Sequence, residues 1–333
     1  MSVQSPSTKL LEMATGFRTT QALYVVARLG VADQLAAGPK SCEELAPLVG
    51  AHEGALFRVM RALASLGVFA QDSEDRFSLN QMGSLLLKDA PDSVRAAVMF
   101  WGEEMYRVAG ELLHSVKTGE TAFDHVYGEG HFEYLSKHPE ANETFNTMMA
   151  QMMRANPSRR SIERFDFRGR KVVVDVGGGT GALLASVLEK NPHLRGILYD
   201  LPAALETAPA YLKSRGVDRR VSIISGSAFD SVPRGGDVYT FSRVLHDHPD
   251  PVAMTILKNC RAAIPTDGVV LIGDAVVPGG NTPSPGKLVD LIMLLMTGGR
   301  ERTEEDWRGL LRKGGFTLKE ASVSESLVVA VPE

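Results

Sequence analysis

The chain is poor in cysteine. Only Cys42 and Cys260 among its 333 residues carry thiols, and they lie far apart with no pairing pattern. That excludes a disulfide framework and a cysteine-built metal site, so reduced thiols in a cytoplasmic protein are expected. Net charge is low as well. The formal balance is −4 at pH 7, which provides no global basic field for nucleic acid. Long apolar runs are missing. DLIMLLM, at 290–296, is too short to span a bilayer, and MSVQSPSTKL lacks the apolar core of a signal peptide.

What is present has the balance of a globular protein, 44% apolar and 23% charged residues. The length allows two domains with at least one sizeable core. Thirteen methionines suit an adaptable apolar pocket.

Up to about residue 165 the pattern is nearly all helical. Leu10, Met13, Phe17, Ala22, Leu23, Val26 and Leu29 recur at helical spacing. Ser41 with Glu44 predicts a capping box, with Cys42, Leu45 and Leu48 facing inward. A second helix carries Leu56, Val59, Met60, Leu63 and Leu66, and Gly67 can stop it. VFAQ and RFSL then predict a small hairpin around DSED, which completes a winged helix. Its second helix offers only Arg58 and Arg61 as cations, so packing or dimerisation is favoured over DNA reading. The stretches 94–116 and 141–165 each read as an amphipathic helix, and FDFRGR marks a boundary between domains at 1–165 and 166–333.

Beyond that boundary strands and helices alternate. KVVVDV, GILYD, VSIISG, DVYTFS and VVLIGDAV predict a mainly parallel sheet covered by helices. FTLKEA and LVVAV, joined by a short link, must pair as a hairpin, so the last strand runs antiparallel to the sheet.

In VVVDVGGGTG, Gly177, Gly179 and Ala182 fit a dinucleotide fingerprint, and Asp200 follows at about the 20-residue spacing of a ribose-binding carboxylate. Three features favour a cationic methyl donor over NAD. Asp175, two residues ahead of the first glycine, would repel a pyrophosphate and attract a sulfonium and an ammonium. The terminal hairpin suits a methyltransferase sheet, and GGGTG holds no basic residue to help bind phosphate. An NAD-dependent oxidoreductase and a ligand-sensing winged-helix regulator stand as the alternatives.

These residues, with YDLP, RVLHDHPD and GGRERTEEDW, make the chain resemble the S-adenosylmethionine-dependent O-methyltransferases of the caffeate and hydroxyindole type, including the bacterial branch acting on phenazines and aromatic polyketides. The resemblance implies a Rossmann-like class I methyltransferase sheet behind a winged-helix dimerisation domain. It also implies a homodimer that takes an aromatic hydroxylated small molecule and needs neither metal, nucleic acid nor membrane. His246 matches the family's general base, whose ordinary pKa of about 6.5 lies near working pH. Glu301 and Asp274 match carboxylates that orient it. For the cofactor the resemblance implies Asp175, Gly177, Gly179, Asp200, Leu201, Ser227, Phe229, Ser242 and Arg243. Ser227 stands where the family has an aspartate, His248 where it has a tryptophan, and Ser242 where plant members have lysine. A non-catalytic member is the further alternative that these departures raise. Acceptor contacts are expected from Phe100, Trp101 and Met105, from Met149, Met152, Met153 and Asn156, and from Asp290, Ile292, Met293 and Met296.

Overall fold

A computed structural model describes residues 5–155 and 157–333. The chain divides into two compact units, Met1–Glu111 with Phe132–Ala155, and Leu112–His131 with Asn156–Glu333.

The first unit is helical around one small hairpin. Ser41 Oγ accepts from the Glu44 N–H while Glu44 Oε2 accepts from the Ser41 N–H, so the expected capping box starts helix Cys42–Val49. Cys42 and Leu45 are buried, but Leu48 is exposed and Ala46 takes the inward position instead. Pro47 lies inside this two-turn helix, too short for the spacing alone to settle which face is inward. Helix Glu53–Ser65 buries Leu56, Met60 and Leu63, while Leu66 falls beyond its end and is exposed. Strands β1 (Phe69–Gln71) and β2 (Phe77–Leu79) form the antiparallel wing.

The stretch 94–116 differs from the single helix expected. It breaks into Arg95–Gly102, Glu104–Ala109 and Leu112–Thr118. Glu103 leaves the helical region at φ −110°, ψ −98°. Just before it, Gly102 abuts helix Phe17–Leu29: its carbonyl accepts from Gln21 Nε2 at 2.9 Å, and a Cβ there would collide with Tyr24. Within 141–165 the described residues are helical, over Pro139–Ala155 and Pro157–Arg164, and residue 156 between them lies outside the described residues.

The second unit is the expected α/β sheet. Its strands are β3 (Val172–Val176), β4 (Arg195–Asp200), β5 (Val221–Ser225), β6 (Val238–Phe241), β7 (Val269–Ile272), β8 (Phe316–Ser322) and β9 (Leu327–Pro332). They lie in the order β5-β4-β3-β6-β7-β9-β8, and β9 alone runs antiparallel, between β7 and β8. Alternation assigns Val174, Val176, Tyr239, Phe241, Val270 and Ile272 to one buried cluster and Val173, Val238, Val269 and Leu271 to another. Each such side chain contributes about 1.5–3 kcal/mol by leaving water.

Strands β4 and β5 extend to one side of β3, and β6 and β7 to the other. The order therefore reverses between β3 and β6, and open sheets of this kind bind ligands there, at the carboxyl ends of the strands.

Gly102→Ala should destabilise the first unit by about 1–3 kcal/mol, because the added methyl group must displace Tyr24 from a packed helix pair. Urea denaturation followed by far-ultraviolet circular dichroism measures this, and an unchanged midpoint would contradict the tight contact.

Candidate active site

Beyond β3 the chain turns through Gly177 (φ 71°), Gly179 (φ 54°) and Gly181 (φ 78°), a left-handed bend that other residues rarely adopt. A Cβ on Gly177 would stand 2.6 Å from Val244, and one on Gly178 2.6 Å from Asp175 Oδ2. The main chain thus passes directly over the Asp175 carboxylate. Parallel register sets Asp175 opposite Thr240, whose hydroxyl donates to Oδ1 at 2.7 Å. Oδ2 is buried without a hydrogen-bond partner among the described residues. Burial pushes the Asp175 carboxyl up to about 7, helped by the charge of Asp200 and opposed by the Thr240 hydrogen bond. Asp200, closing β4, accepts from the Gly179 N–H at 2.8 Å and the Leu201 N–H at 2.7 Å, which ties the second strand to the bend. Burial also raises its pKa. Leu201 is exposed beside it.

Past β5, Ser227 Oγ accepts from the Phe229 N–H at 3.2 Å. Phe229 is half-exposed and meets His248 edge-on, with ring centres 5.2 Å apart. Asn259, on helix Asp250–Ala263, holds this loop by donating to the carbonyls of Ala228 and Phe229, each at 2.9 Å. Following β6, Ser242 Oγ is buried and unpartnered among the described residues, and Arg243 is held at φ 58°.

The turn Leu245–Asp247 comes next and carries His246, which is 1% exposed. Its Nδ1 lies 2.7 Å from Oε1 of the equally buried Glu301. Because an ionised carboxylate only accepts, this contact places the proton on Nδ1 and leaves Nε2 as the free lone pair. Asp247 Oδ1 is 3.4 Å from Nε2. Burial works to lower the pKa of His246, but Asp247, Asp274 and the Glu301 hydrogen bond outweigh it and raise the value. Asp274, beyond β7, grips His246 differently from the expected contact with the ring. Its Oδ2 accepts the His246 main-chain N–H at 3.0 Å, and its own pKa is raised by burial.

The GGRER segment closes over this turn. Gly299 passes so near the His246 carbonyl that a Cβ would collide with it, and the Arg300 N–H donates to that carbonyl at 2.8 Å. Asp290 Oδ1 accepts the Glu301 N–H at 2.7 Å, so this side chain braces the carboxylate's backbone. Met293 and Met296 are buried on the same helix, Gly286–Met296, and Ile292 is half-buried. In the first unit Phe100 and Met105 are buried, Met149 is half-buried and Met152 exposed. Trp101 stands edge-on to Phe100 at 5.2 Å. Asn156 and the side chain of Met153 lie outside the described residues.

Two residues emerge that sequence reasoning missed, Asn259 and the fully buried Arg302. No spacing rule could find them, because each acts by donating to main-chain carbonyls of a distant loop.

The bend, with a buried acid beneath it and no Lys or Arg in GGGTG, suits a cofactor that is cationic and lacks phosphate. Residues 110–317 match the O-methyltransferase domain family and residues 11–89 match the O-methyltransferase dimerisation domain. The phenazine O-methyltransferase PhzM of Lysobacter antibioticus is 42% identical over 94% of this chain and 92% of its own length. The phenazine-1-carboxylate N-methyltransferase of Pseudomonas aeruginosa is 34% identical over 93% of this chain and 92% of its own. The crystal structure of an O-methyltransferase from neocarzinostatin biosynthesis, in complex with S-adenosylmethionine and 2-hydroxy-5-methyl naphthoic acid, superposes with a TM-score of 0.86 at 30% identity, covering all of both chains. No helix among the described residues is long and apolar enough to cross a membrane. The chain therefore belongs to the S-adenosylmethionine-dependent O-methyltransferase family, as an enzyme of its natural-product branch.

Proposed function

We propose that the protein methylates a hydroxyl group of an aromatic small molecule, a phenol, phenazine or polyketide, with His246 as general base. The observation that carries this reading is the buried contact between His246 Nδ1 and Glu301 Oε1, set beside the glycine bend. When bound, S-adenosylmethionine supplies a methyl group activated by a positively charged sulfur. Nε2 of His246 takes the hydroxyl proton as the acceptor oxygen gains the methyl group. Glu301 stabilises the imidazolium so formed and keeps the ring in one orientation. Asp274 and Arg300 hold the main chain on either side of that imidazole.

For the cofactor, Gly177 and Gly179 provide close backbone approach, Asp175 a negative field, Asp200 the polar edge of the bend and Leu201 an exposed apolar surface beside it. Ser227, Phe229, Ser242 and Arg243 are assigned to the far end of the same cofactor. Met293 and Asp290 are assigned to the acceptor. The region matching the dimerisation domain is assigned to a homodimer, which the exposed Leu10, Leu11, Met13 and Phe17 support. The 1–165 and 166–333 division is retained as the functional one.

His246→Ala should lower kcat by about 10²- to 10⁴-fold on a hydroxylated acceptor while calorimetry finds S-adenosylhomocysteine binding within threefold of wild type. Methylation of a ring nitrogen needs no such base, so undiminished turnover in this variant would move the acceptor atom from oxygen to nitrogen. The kcat–pH profile should fall on the acid side through a pKa above the ordinary histidine value of about 6.5, since protonated His246 cannot accept.

Asp175 provides a separate test. Its folded pKa lies near 7, against 3.8 unperturbed, so the native state loses stability as pH rises from about 4 to 7. Asp175→Asn keeps an acceptor for Thr240 and should therefore gain on wild type by up to roughly 4 kcal/mol at pH 8, and by almost nothing at pH 4. The same variant should weaken S-adenosylmethionine more than S-adenosylhomocysteine, which lacks the sulfonium charge. A stability gain that does not change with pH, or equal losses for both ligands, would refute the field assigned to Asp175.

A further inference from the structure

We infer that Arg302 is a positioning residue for His246, holding the base-bearing turn rigid from behind through its carbonyl oxygens. This rests on the reading of His246 as base.

The turn Leu245–Asp247 has little structure of its own. Its internal hydrogen bonds are long, from the Asp247 N–H to Val244 at 3.2 Å and from the His248 N–H to Leu245 at 3.4 Å. It follows Arg243, held at φ 58°, a conformation that costs a side-chain-bearing residue of order 1–3 kcal/mol unless the surroundings enforce it. Asp274 and the Arg300 N–H hold His246 itself, and Arg302 holds the residues that flank it. Nη1 donates to the Leu245 carbonyl and Nη2 to the His248 carbonyl, each at 2.9 Å, so one guanidinium bridges the two sides of His246. Nε and Nη2 also donate to Asp250 Oδ1, at 3.0 and 2.9 Å. The guanidinium lies 5.2 Å over the Trp307 ring and is 0% exposed.

Only arginine matches this demand. A planar fork with five donors can serve two carbonyls and a carboxylate together, whereas an ammonium acts as a point charge. The fork is anchored at both ends. Asp250 opens helix Asp250–Ala263, and Thr303 caps helix Glu304–Lys313 immediately after Arg302. Neighbouring positions in the chain thus hold opposite sides of one histidine: Glu301 the ring, Arg302 the backbone. A displacement of the imidazole by about an ångström suffices for a hundredfold loss in rate.

The test is Arg302→Lys in the full-length enzyme, which retains the charge but cannot bridge both carbonyls. We expect kcat, counted per cofactor-binding site by calorimetry, to fall about 30- to 100-fold, with KM for S-adenosylmethionine within threefold of wild type. The deshielded Nδ1 proton of His246, assigned by its loss in His246→Ala, should shift or broaden. An unmoved resonance, or a kcat per binding site equal to wild type, overturns the inference. Should the lysine variant not fold, Asp250→Asn loosens the same guanidinium from outside and should show the resonance change with a three- to tenfold fall in kcat. An unchanged Asp250→Asn enzyme likewise overturns it. The two readings fail separately. Full activity in His246→Ala removes the base while the resonance still reports on Arg302, whereas an inactive His246→Ala beside a normal Arg302→Lys removes Arg302 alone.

Discussion

The hydrogen bond between His246 Nδ1 and Glu301 Oε1 joins two groups that are each expensive to bury alone. A carboxylate with 3% exposure needs a proton donor, and a buried imidazole needs a partner for its ring N–H. They meet at 2.7 Å through Oε1, while Oε2 is buried without a hydrogen-bond partner among the described residues, and the contact leaves the Nε2 edge of the ring facing Asp247 Oδ1 at 3.4 Å. The surrounding geometry exists to keep that pair in place: Gly299 lets the two loops touch, Asp290 braces the Glu301 backbone, and Asp274 holds the His246 N–H.

The same economy of loops connects this pair to the glycine bend. Val244 fills the space a side chain on Gly177 would need, so the segment leading to His246 packs against the turn leading from β3. Helix Asp250–Ala263 then joins two further loops. Its first residue receives Arg302, and Asn259, farther along, holds the carbonyls of Ala228 and Phe229. Strand ends alone would leave these loops free. Side chains donating to main-chain oxygens give them a fixed relation, which suits a reaction that requires alignment more than chemical machinery.

Much of the architecture was legible because it obeys local rules. The β-branched runs predict the parallel strands, the short link predicts the terminal hairpin, and Ser41 with Glu44 predicts its capping box. The parts that were not legible depend on contacts between distant residues. Nothing in 94–116 announces that Gly102 must press on Tyr24, and Leu48 and Ala46 differ in burial only through the packing of a very short helix. At the site, motif reading singled out His246, Glu301 and Asp274, and the structure brings the three together. It could not tell that Asp274 would hold a peptide N–H instead of the ring, because a motif records residue type and not direction. Arg302 escaped for the same reason, adjacent to a residue the pattern had already found.

A crystal structure with S-adenosylhomocysteine and a hydroxylated aromatic acceptor tests the central claim most directly. The account predicts the acceptor hydroxyl within hydrogen-bond distance of His246 Nε2, with Nδ1 still on Glu301. An acceptor oxygen remote from Nε2, or an imidazole turned away from Glu301 in that complex, would contradict it.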